Sequence, residues 1–181
     1  GYQDGVPWNY ETTLAGELTR AGYQTQAIGK MHVYPERSPL GFQKVILHDG
    51  FLHYAREHAP SLDSVDDYLP WLRRELGREA DYFDHGVNCN SVVARPWDKP
   101  EHTHPTNWAV TQSLDFLRHR DVRKPFFLFL SFHRPHPPYD PPTWAFEQYL
   151  SREMPPPPVG DWTDLWDGDA DPKRPDCFVG D

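Results

Sequence analysis

The sequence predicts an α/β fold in which a mainly parallel sheet is flanked by helices. Two apolar segments carry this prediction, YQTQAIG at 23–29 and PFFLFLSF at 125–132. The second is apolar along its length without alternation, which is typical of a parallel strand buried on both faces. A helical pattern precedes each segment, and the order helix, strand, insert, helix, strand indicates an α/β sheet.

The first helix is predicted just before the first strand. In TTLAGELTRAGY, Leu14, Leu18 and Ala21 recur at helical spacing, after a threonine and before Gly22. This pattern predicts an amphipathic helix with a threonine cap at its start and a glycine after its end. Residues 35–63 have a loop-like pattern, with KVILH as a candidate second strand.

A second helix is predicted in SVDDYLPWLRREL. Ser64 and Asp67 have the spacing of a capping box, which places the start of this helix at Ser64. Pro70 is then expected to reset or kink the helix near its start.

A third helix is predicted in TNWAVTQSLDFLRHR, directly before the apolar strand. Val110, Leu114 and Leu117 fall on one face, and Thr106 is the expected N-cap. After residue 141 the sequence predicts one short helix, TWAFEQYL, followed by a tail rich in proline and aspartate.

Charge and composition argue against several classes of partner. The 181 residues carry a formal net charge of −9 with histidine neutral. A nucleic-acid or anionic-membrane binder needs a basic face, so neither partner is expected. No apolar stretch approaches the roughly 20 residues of a membrane span. The opening GYQDGVPWNY lacks the features of a signal peptide, which leaves the location open between cytoplasm and periplasm.

Cysteine usage assigns no chemistry. Cys89 and Cys177 lie in polar surroundings, and neither belongs to a C-x-x-C motif. This favours two unrelated thiols over a disulfide or a zinc site. The roles of both cysteines therefore stay open.

Cationic and imidazole side chains follow the two predicted strands. Lys30 and His32 come just after the first strand, and His133, Arg134 and His136 come just after the second. Ligands of open α/β sheets bind outside the carboxyl ends of the strands, so two separate segments deliver these groups to one edge. Lysine and arginine offer charge to an anion, and histidine can also carry a proton near neutral pH. The cluster suits a phosphate-like or sulfate-like group.

Simpler interpretations of the same residues stay open. A lone Lys-x-His pair is common on protein surfaces, where both side chains are solvated. His133 and Arg134 could equally be structural, with their side chains held by neighbouring carbonyl groups.

Three blocks of the sequence resemble the sulfatase family of the alkaline-phosphatase-like superfamily. They are TLAGELTRAGYQTQAIGKMH, the Gly-Phe pair at 41–42, and KPFFLFLSFHRPHPPYDPP. The blocks occur in the family's order and cover most of residues 10–150. The resemblance implies part of an alkaline-phosphatase-like sandwich, and a parent enzyme that hydrolyses a small-molecule or carbohydrate sulfate ester.

The resemblance also implies roles for individual residues. Lys30 and His32 match the family's lysine and histidine that contact the nucleophile and the sulfate. His136 matches the histidine that contacts the sulfate ester and can protonate the leaving oxygen. Arg134 and His133 are the accompanying candidates for substrate binding.

Other parts of the family pattern are missing from the sequence. The Cys/Ser-x-Pro/Ala-x-Arg motif that yields the formylglycine nucleophile does not occur. The family's first aspartate pair, expected on a strand near the N-terminus, is also missing, as is the later Asp-Asn pair that completes the calcium site. We therefore interpret residues 1–181 as a single internal fragment, with a core at 10–150 and an irregular tail at 151–181. Nucleophile, calcium and the remainder of the catalytic domain are expected outside this chain, and no metal is expected within it.

Two alternative functions stay open at this point. A phosphate or phosphonate monoester hydrolase of the same superfamily also acts on a tetrahedral anion, so the residues above do not exclude it. A non-catalytic anion-binding module would lack the nucleophile for a different reason. As a sulfatase fragment without the nucleophile motif and the metal ligands, the chain alone is expected to be inactive.

Overall fold

A computed structural model describes residues 6–48, 58–87, 93–156 and 159–160. The chain divides by its contacts into two units, residues 1–82 with 102–133 and residues 83–101 with 134–181. Cys89, Cys177 and most of the predicted tail lie outside the described residues. Of the described helices, none has the length and apolar character that a bilayer crossing needs.

The first unit contains the sheet and three helices, whose bounds follow: α1 (Leu14–Arg20), β1 (Gln24–Gly29), β2 (Lys44–Leu47), α2 (Tyr68–Leu76), α3 (Pro105–His119) and β3 (Phe126–Ser131). The strand order is β2-β1-β3, and both pairings are parallel. The register aligns Gln24 with Phe126 and Gly29 with Ser131. This confirms the predicted parallel pairing of the two apolar segments.

Strand β1 is central and forms the core of the sheet, with Ala27 and Ile28 fully buried. Helix α1 packs against β1, and α3 packs against β1 and β3. The ring of Phe126 lies 5.7 Å from that of Phe116 in α3, whereas Phe127 stacks on Phe42 at 5.7 Å. Neighbouring residues of a strand point to opposite faces, so each face of β3 carries a large aromatic side chain.

Strand β3 is more exposed than its sequence predicts. Phe126 and Phe129 are each 40 % exposed, and Leu130 is 37 % exposed. The expectation of burial on both faces is therefore wrong for the described residues. The physical reason is the place of β3 in the sheet. It is an edge strand of the three described strands, so a neighbouring strand shields it on one side only.

Helix α1 begins with the predicted threonine cap, although its buried face differs from the prediction. Thr13 Oγ1 accepts from Gly16 N at 3.0 Å and donates to Leu40 O at 2.6 Å. The buried residue of α1 is Ala15, whereas Leu14 is 67 % exposed. Helix α1 thus buries a small side chain and leaves the larger side chain of Leu14 mostly in solvent.

Helix α2 begins later than the predicted capping box places it. Ser64 belongs to a short 3₁₀ helix, Leu62–Ser64, and the α-helix starts at Tyr68. The carboxylate of Asp66 accepts from Leu69 N at 2.6 Å and caps the new start. Pro70 therefore lies in the first turn of α2, where the backbone N–H groups have no partner within the helix and a proline breaks no hydrogen bond. Pro70 therefore gives no reason for the kink that the sequence analysis expects.

Helix α3 is capped by His104 rather than by Thr106. His104 Nδ1 accepts from Thr106 N at 3.2 Å, and Pro105 occupies the first helical position. The buried face also differs from the predicted one, since Val110 and Leu114 are 37 % and 45 % exposed. The residues that α3 buries are Pro105, Trp108, Ala109, Ser113 and Phe116.

The second unit contains the predicted short helix, α4 (Thr143–Leu150), and a bridge between two extended segments. Ala94 pairs with Tyr139 in parallel, Arg95 N donates to Tyr139 O at 2.9 Å, and Trp97 N donates to Pro141 O at 2.9 Å. These bonds hold the proline-rich segment before α4.

Gly29 is the glycine that the sheet most strictly requires. Its φ is +94°, and an added Cβ would lie 1.9 Å from Ser131 O. Gly29→Ala should therefore lower the free energy of unfolding by about 3 kcal/mol or more. Gly22→Ala is a matched control, because φ is +89° and nothing lies within 4 Å of an added Cβ; backbone strain alone should lower the free energy by ~1–2 kcal/mol there. Urea unfolding followed by tryptophan fluorescence measures both, and equal losses would contradict the close-approach argument.

Candidate active site

Lys30 lies where β1 and β3 end side by side. Lys30 N donates to Ser131 O at 2.9 Å, so hydrogen bonding to the end of β3 fixes the backbone that carries this side chain. Both Lys30 and His32 are half-buried. The first part of the predicted site is thus at the carboxyl edge of the sheet, as the sequence pattern predicts.

His32 departs from the extended path that its spacing from Lys30 suggests. Its φ is +57°, in the left-handed region that few residues other than glycine adopt. The simple alternation of a strand therefore stops before His32. A non-glycine residue held in this region stores strain, which is common at functional sites.

The apolar neighbours of this pair occupy a different environment. Met31 and Val33 line an apolar cavity of about 410 Å³, together with Phe127 and Phe129 of β3. Val33 is 3 % exposed. Lys30 and His32 are half-buried and do not line this cavity.

His133 follows β3 and is buried at 7 % exposure. Its ring centroid lies 5.7 Å from that of His48, and the His48 ring lies 4.4 Å from that of Tyr68. His133 therefore faces the aromatic interior of the first unit. Its assignment to substrate binding stays a prediction.

His48 is a buried histidine that the sequence analysis did not single out. It directly follows β2, and its backbone N donates to Gly29 O at 3.0 Å. Its Nδ1 donates to Asp66 Oδ1 at 3.2 Å, and both side chains are almost fully buried. The signal was available in the sequence, because an imidazole or a cation follows all three strands of the sheet at their carboxyl ends.

Arg134 belongs to the second unit and binds a carboxylate there. Its Nη2 lies 2.5 Å from Asp140 Oδ2, and its Nε donates to Asp140 Oδ1. The Asp140 side chain is fully buried and that of Arg134 is 10 % exposed. The interpretation of Arg134 as a structural residue is thus supported by an observed contact, although its partner is a carboxylate and not the expected carbonyl group. Its substrate role stays a prediction.

His136 lies in the same unit and is exposed. Its Nδ1 lies 2.9 Å from Pro137 O, and because a carbonyl oxygen only accepts, Nδ1 carries the proton of this hydrogen bond. In the neutral ring the proton therefore lies on Nδ1 and not on Nε2.

A metal site needs several ligating side chains close together. Within the ranges given above, no three His, Cys, Asp or Glu side chains are grouped so that they could hold a metal ion. The expectation that the calcium ligands lie outside this chain stays a prediction.

Comparison with known proteins decides the family. Residues 1–154 match the family model described as Sulfatase. The chain belongs to the sulfatase family. An arylsulfatase of Clostridium perfringens (strain 13 / Type A) is 50 % identical over 184 aligned positions, which cover 99 % of this chain and 38 % of that protein. The family resemblance seen in the sequence is confirmed.

More distant relatives extend the comparison. The multifunctional alkaline phosphatase superfamily protein PehA of Trinickia caryophylli is 27 % identical over 168 positions, covering 86 % of this chain and 32 % of that protein. The crystal structure of the phosphonate monoester hydrolase of Agrobacterium radiobacter matches with a TM-score of 0.59 and 21 % identity, covering 83 % of this chain and 31 % of that one. This likeness confirms the fold. The chain spans less than two fifths of the length of each relative.

The His48–Asp66 pair gives a stability prediction. Asp66→Ala removes the acceptor for both Leu69 N and His48 Nδ1, and leaving buried donors unsatisfied should lower the free energy of unfolding by about 2–4 kcal/mol. Asp63→Ala is the control, because its 64 % exposed carboxylate lies 3.8 Å from Arg73 Nη1. A loss of ~0.5 kcal/mol or less is expected for it. Urea unfolding measures both; similar losses would show that the buried bonds contribute little.

Proposed function

We propose that this chain is part of the catalytic domain of an arylsulfatase-type sulfuric ester hydrolase. The observation that carries the proposal is the 50 % identity to an arylsulfatase across 99 % of the chain. The reaction breaks the bond between the sulfur and the ester oxygen, transfers the sulfuryl group to a nucleophile, and releases an alcohol or phenol.

Lys30 supplies positive charge to the sulfuryl oxygens in this proposal. Negative charge builds on those oxygens as the bond to the leaving group breaks, so a fixed cation beside them stabilises the transition state. The hydrogen bond from Lys30 N to Ser131 O supports this role, because it fixes the backbone from which the ammonium group extends.

The two histidines handle protons. His136 donates a proton from Nε2 to the departing oxygen, and His32 accepts the proton whose removal releases the sulfate from the nucleophile. The bond from His136 Nδ1 to Pro137 O supports the first assignment, because it holds the ring through Nδ1 and makes Nε2 the other nitrogen from which a proton can be donated. His133 is proposed to contact the substrate, and Arg134 has two candidate roles, contact with the substrate or fixing the loop through Asp140.

The nucleophile and the metal belong to other parts of the catalytic domain. A formylglycine nucleophile and calcium would supply covalent sulfuryl transfer and further charge stabilisation. Exposed apolar surface supports the idea that more protein covers this chain. Phe129 and Leu130 of β3 and Leu114 of α3 are each more than a third exposed, and large apolar side chains left in water favour burial against further protein.

A phosphonate or phosphate monoester hydrolase is the second candidate. The fold likeness to a phosphonate monoester hydrolase favours it, although the 21 % identity is well below the 50 % identity to the arylsulfatase. Rates on an aryl sulfate and on an aryl phosphonate, measured with the full-length enzyme, decide between the two.

The alternative of a non-catalytic binding module is tested by the gene sequence upstream of this chain. A Cys/Ser-x-Pro/Ala-x-Arg motif there indicates an enzyme.

The charge of Lys30 is tested by Lys30→Ala in the full-length enzyme. We expect kcat/KM for an aryl sulfate to fall by the equivalent of about 2–4 kcal/mol, since one stabiliser of transition-state charge is lost. Lys124→Ala is the control, because Lys124 is exposed in the turn before β3, and it should leave kcat/KM unchanged. An unchanged kcat/KM in Lys30→Ala would remove this residue from the mechanism.

The 181-residue chain alone, with calcium added, should give no turnover of an aryl sulfate.

The proton from His136 is tested with a series of aryl sulfates whose phenols differ in pKa. His136→Ala should slow esters of weakly acidic phenols by about 100-fold or more, and esters of nitrophenols much less, because only poor leaving groups need a proton. His119→Ala is the control, since that ring is 73 % exposed and pairs with Asp115 on α3. An equal loss for every ester would contradict the role of an acid.

A further inference from the structure

A buried ion pair closes the segment that carries His136. Arg134 and Asp140 form a two-point contact, with Nη2 2.5 Å from Oδ2 and Nε donating to Oδ1. Bidentate pairs of this kind fix the relative orientation of both side chains. Because the two residues flank positions 135–139, their contact closes these positions into a loop.

His85 binds the same carboxylate from another segment. Val87 N donates to His85 Nδ1 at 3.0 Å, so Nδ1 is the unprotonated nitrogen and the proton resides on Nε2. Nε2 then donates to Asp140 Oδ2 at 3.2 Å. Both side chains are fully buried. Asp140 thus receives hydrogen bonds from two segments of the unit, and neither is needed for the reaction steps above.

The loop between Arg134 and Asp140 has little freedom of its own. Three of its five positions are proline, each with a restricted φ. Tyr139 pairs with Ala94, and Asp140 N donates to Pro138 O at 3.1 Å. His136 is therefore the one imidazole on a short stiff loop whose two ends meet at a buried carboxylate.

We propose that Asp140 is a positioning residue, which acts with Arg134 and His85 to hold the His136 imidazole where it protonates the leaving oxygen. The proposal rests on the proposed function for the role of His136. It assigns Arg134 to the loop and not to the substrate. A displaced ring loses general-acid catalysis even when its own chemistry is intact, because proton transfer requires close and correct geometry.

The test is Asp140→Asn in the full-length enzyme, measured on the same series of aryl sulfates. Esters of weakly acidic phenols should slow by about 10-fold to 100-fold, and nitrophenyl esters by less than about 3-fold. Asp84→Asn is the matched control, because Asp84 lies in the same unit and its 43 % exposed carboxylate pairs with Lys99 at 3.5 Å. An equal loss for all esters would overturn the proposal, since it would reflect a general structural defect.

Arg134→Lys separates positioning from substrate binding. Lysine keeps the charge but cannot reproduce the two-point contact. We expect the leaving-group pattern of Asp140→Asn with KM unchanged. A raised KM with no dependence on the leaving group would assign Arg134 to the substrate and overturn its part in the proposal.

A double variant gives a second, independent readout. In the His136→Ala background, Asp140→Asn should cause no further loss, because the group that it positions is already gone. A merely structural role would lower the rate by the same factor in both backgrounds and would overturn the proposal.

Failure of the proposed function can be distinguished from failure of this inference. If the wild-type enzyme hydrolyses phosphonates and not sulfates, the sulfatase proposal fails and the same variants are compared on aryl phosphonates. If it hydrolyses neither, NMR relaxation of the histidine rings in the full-length protein provides the test. Asp140→Asn should then increase the mobility of the His136 ring relative to the exposed ring of His119. Unchanged mobility would overturn the inference.

Discussion

The parallel pairing of β1 with β3 is the interaction on which the described first unit depends. It joins two segments that are far apart in sequence, in a register that places Gly29 beside Ser131. Forming such a long-range pairing requires the chain between the two strands to close a large loop, which costs conformational entropy. Burial of apolar side chains such as Ala27 and Ile28 has to offset that cost. The same register determines where the backbone of Lys30 lies, because the ladder continues into its N–H.

The second unit depends on a different kind of interaction. Its proline-rich segment offers few N–H groups for a sheet, so side chains and isolated backbone bonds take over that role. A buried carboxylate with two cationic or imidazole partners is a demanding arrangement, because removing any one partner leaves a buried polar group unsatisfied. Arrangements of this type favour one loop conformation over its alternatives.

Sequence reasoning succeeded where local pattern and tertiary context agree. The parallel pairing of β1 and β3, the cap at Thr13 and the short α4 helix all follow from local residue choice. It failed where packing decides between two similar faces. On α3, the apolar stripe through Val110 and Leu114 is a plausible core face, yet the helix buries the face of Trp108 and Ala109.

The start of α2 and the site itself show two further limits of the sequence. On local sequence alone, α2 could begin at Ser64 with a capping box or at Tyr68 with the Asp66 carboxylate as its cap. The hydrogen bond between Asp66 and His48 favours the start at Tyr68. For the site, the sequence indicated which side chains follow β1 and β3. It could not indicate that Asp140 binds Arg134, since a carboxylate six positions away has no helical or strand periodicity to connect it.

The exposed edge of β3 has a consequence for the behaviour of the chain in solution. Among the described residues its outer backbone groups have no neighbouring strand, and its aromatic side chains are partly in water. Such edges attract other copies of the same chain, whereas a net charge of −9 repels them. Charge repulsion acts over a Debye length of about 8 Å at physiological salt and shortens as salt is added. Colloidal stability of the isolated chain therefore depends on ionic strength, with self-association favoured as screening increases.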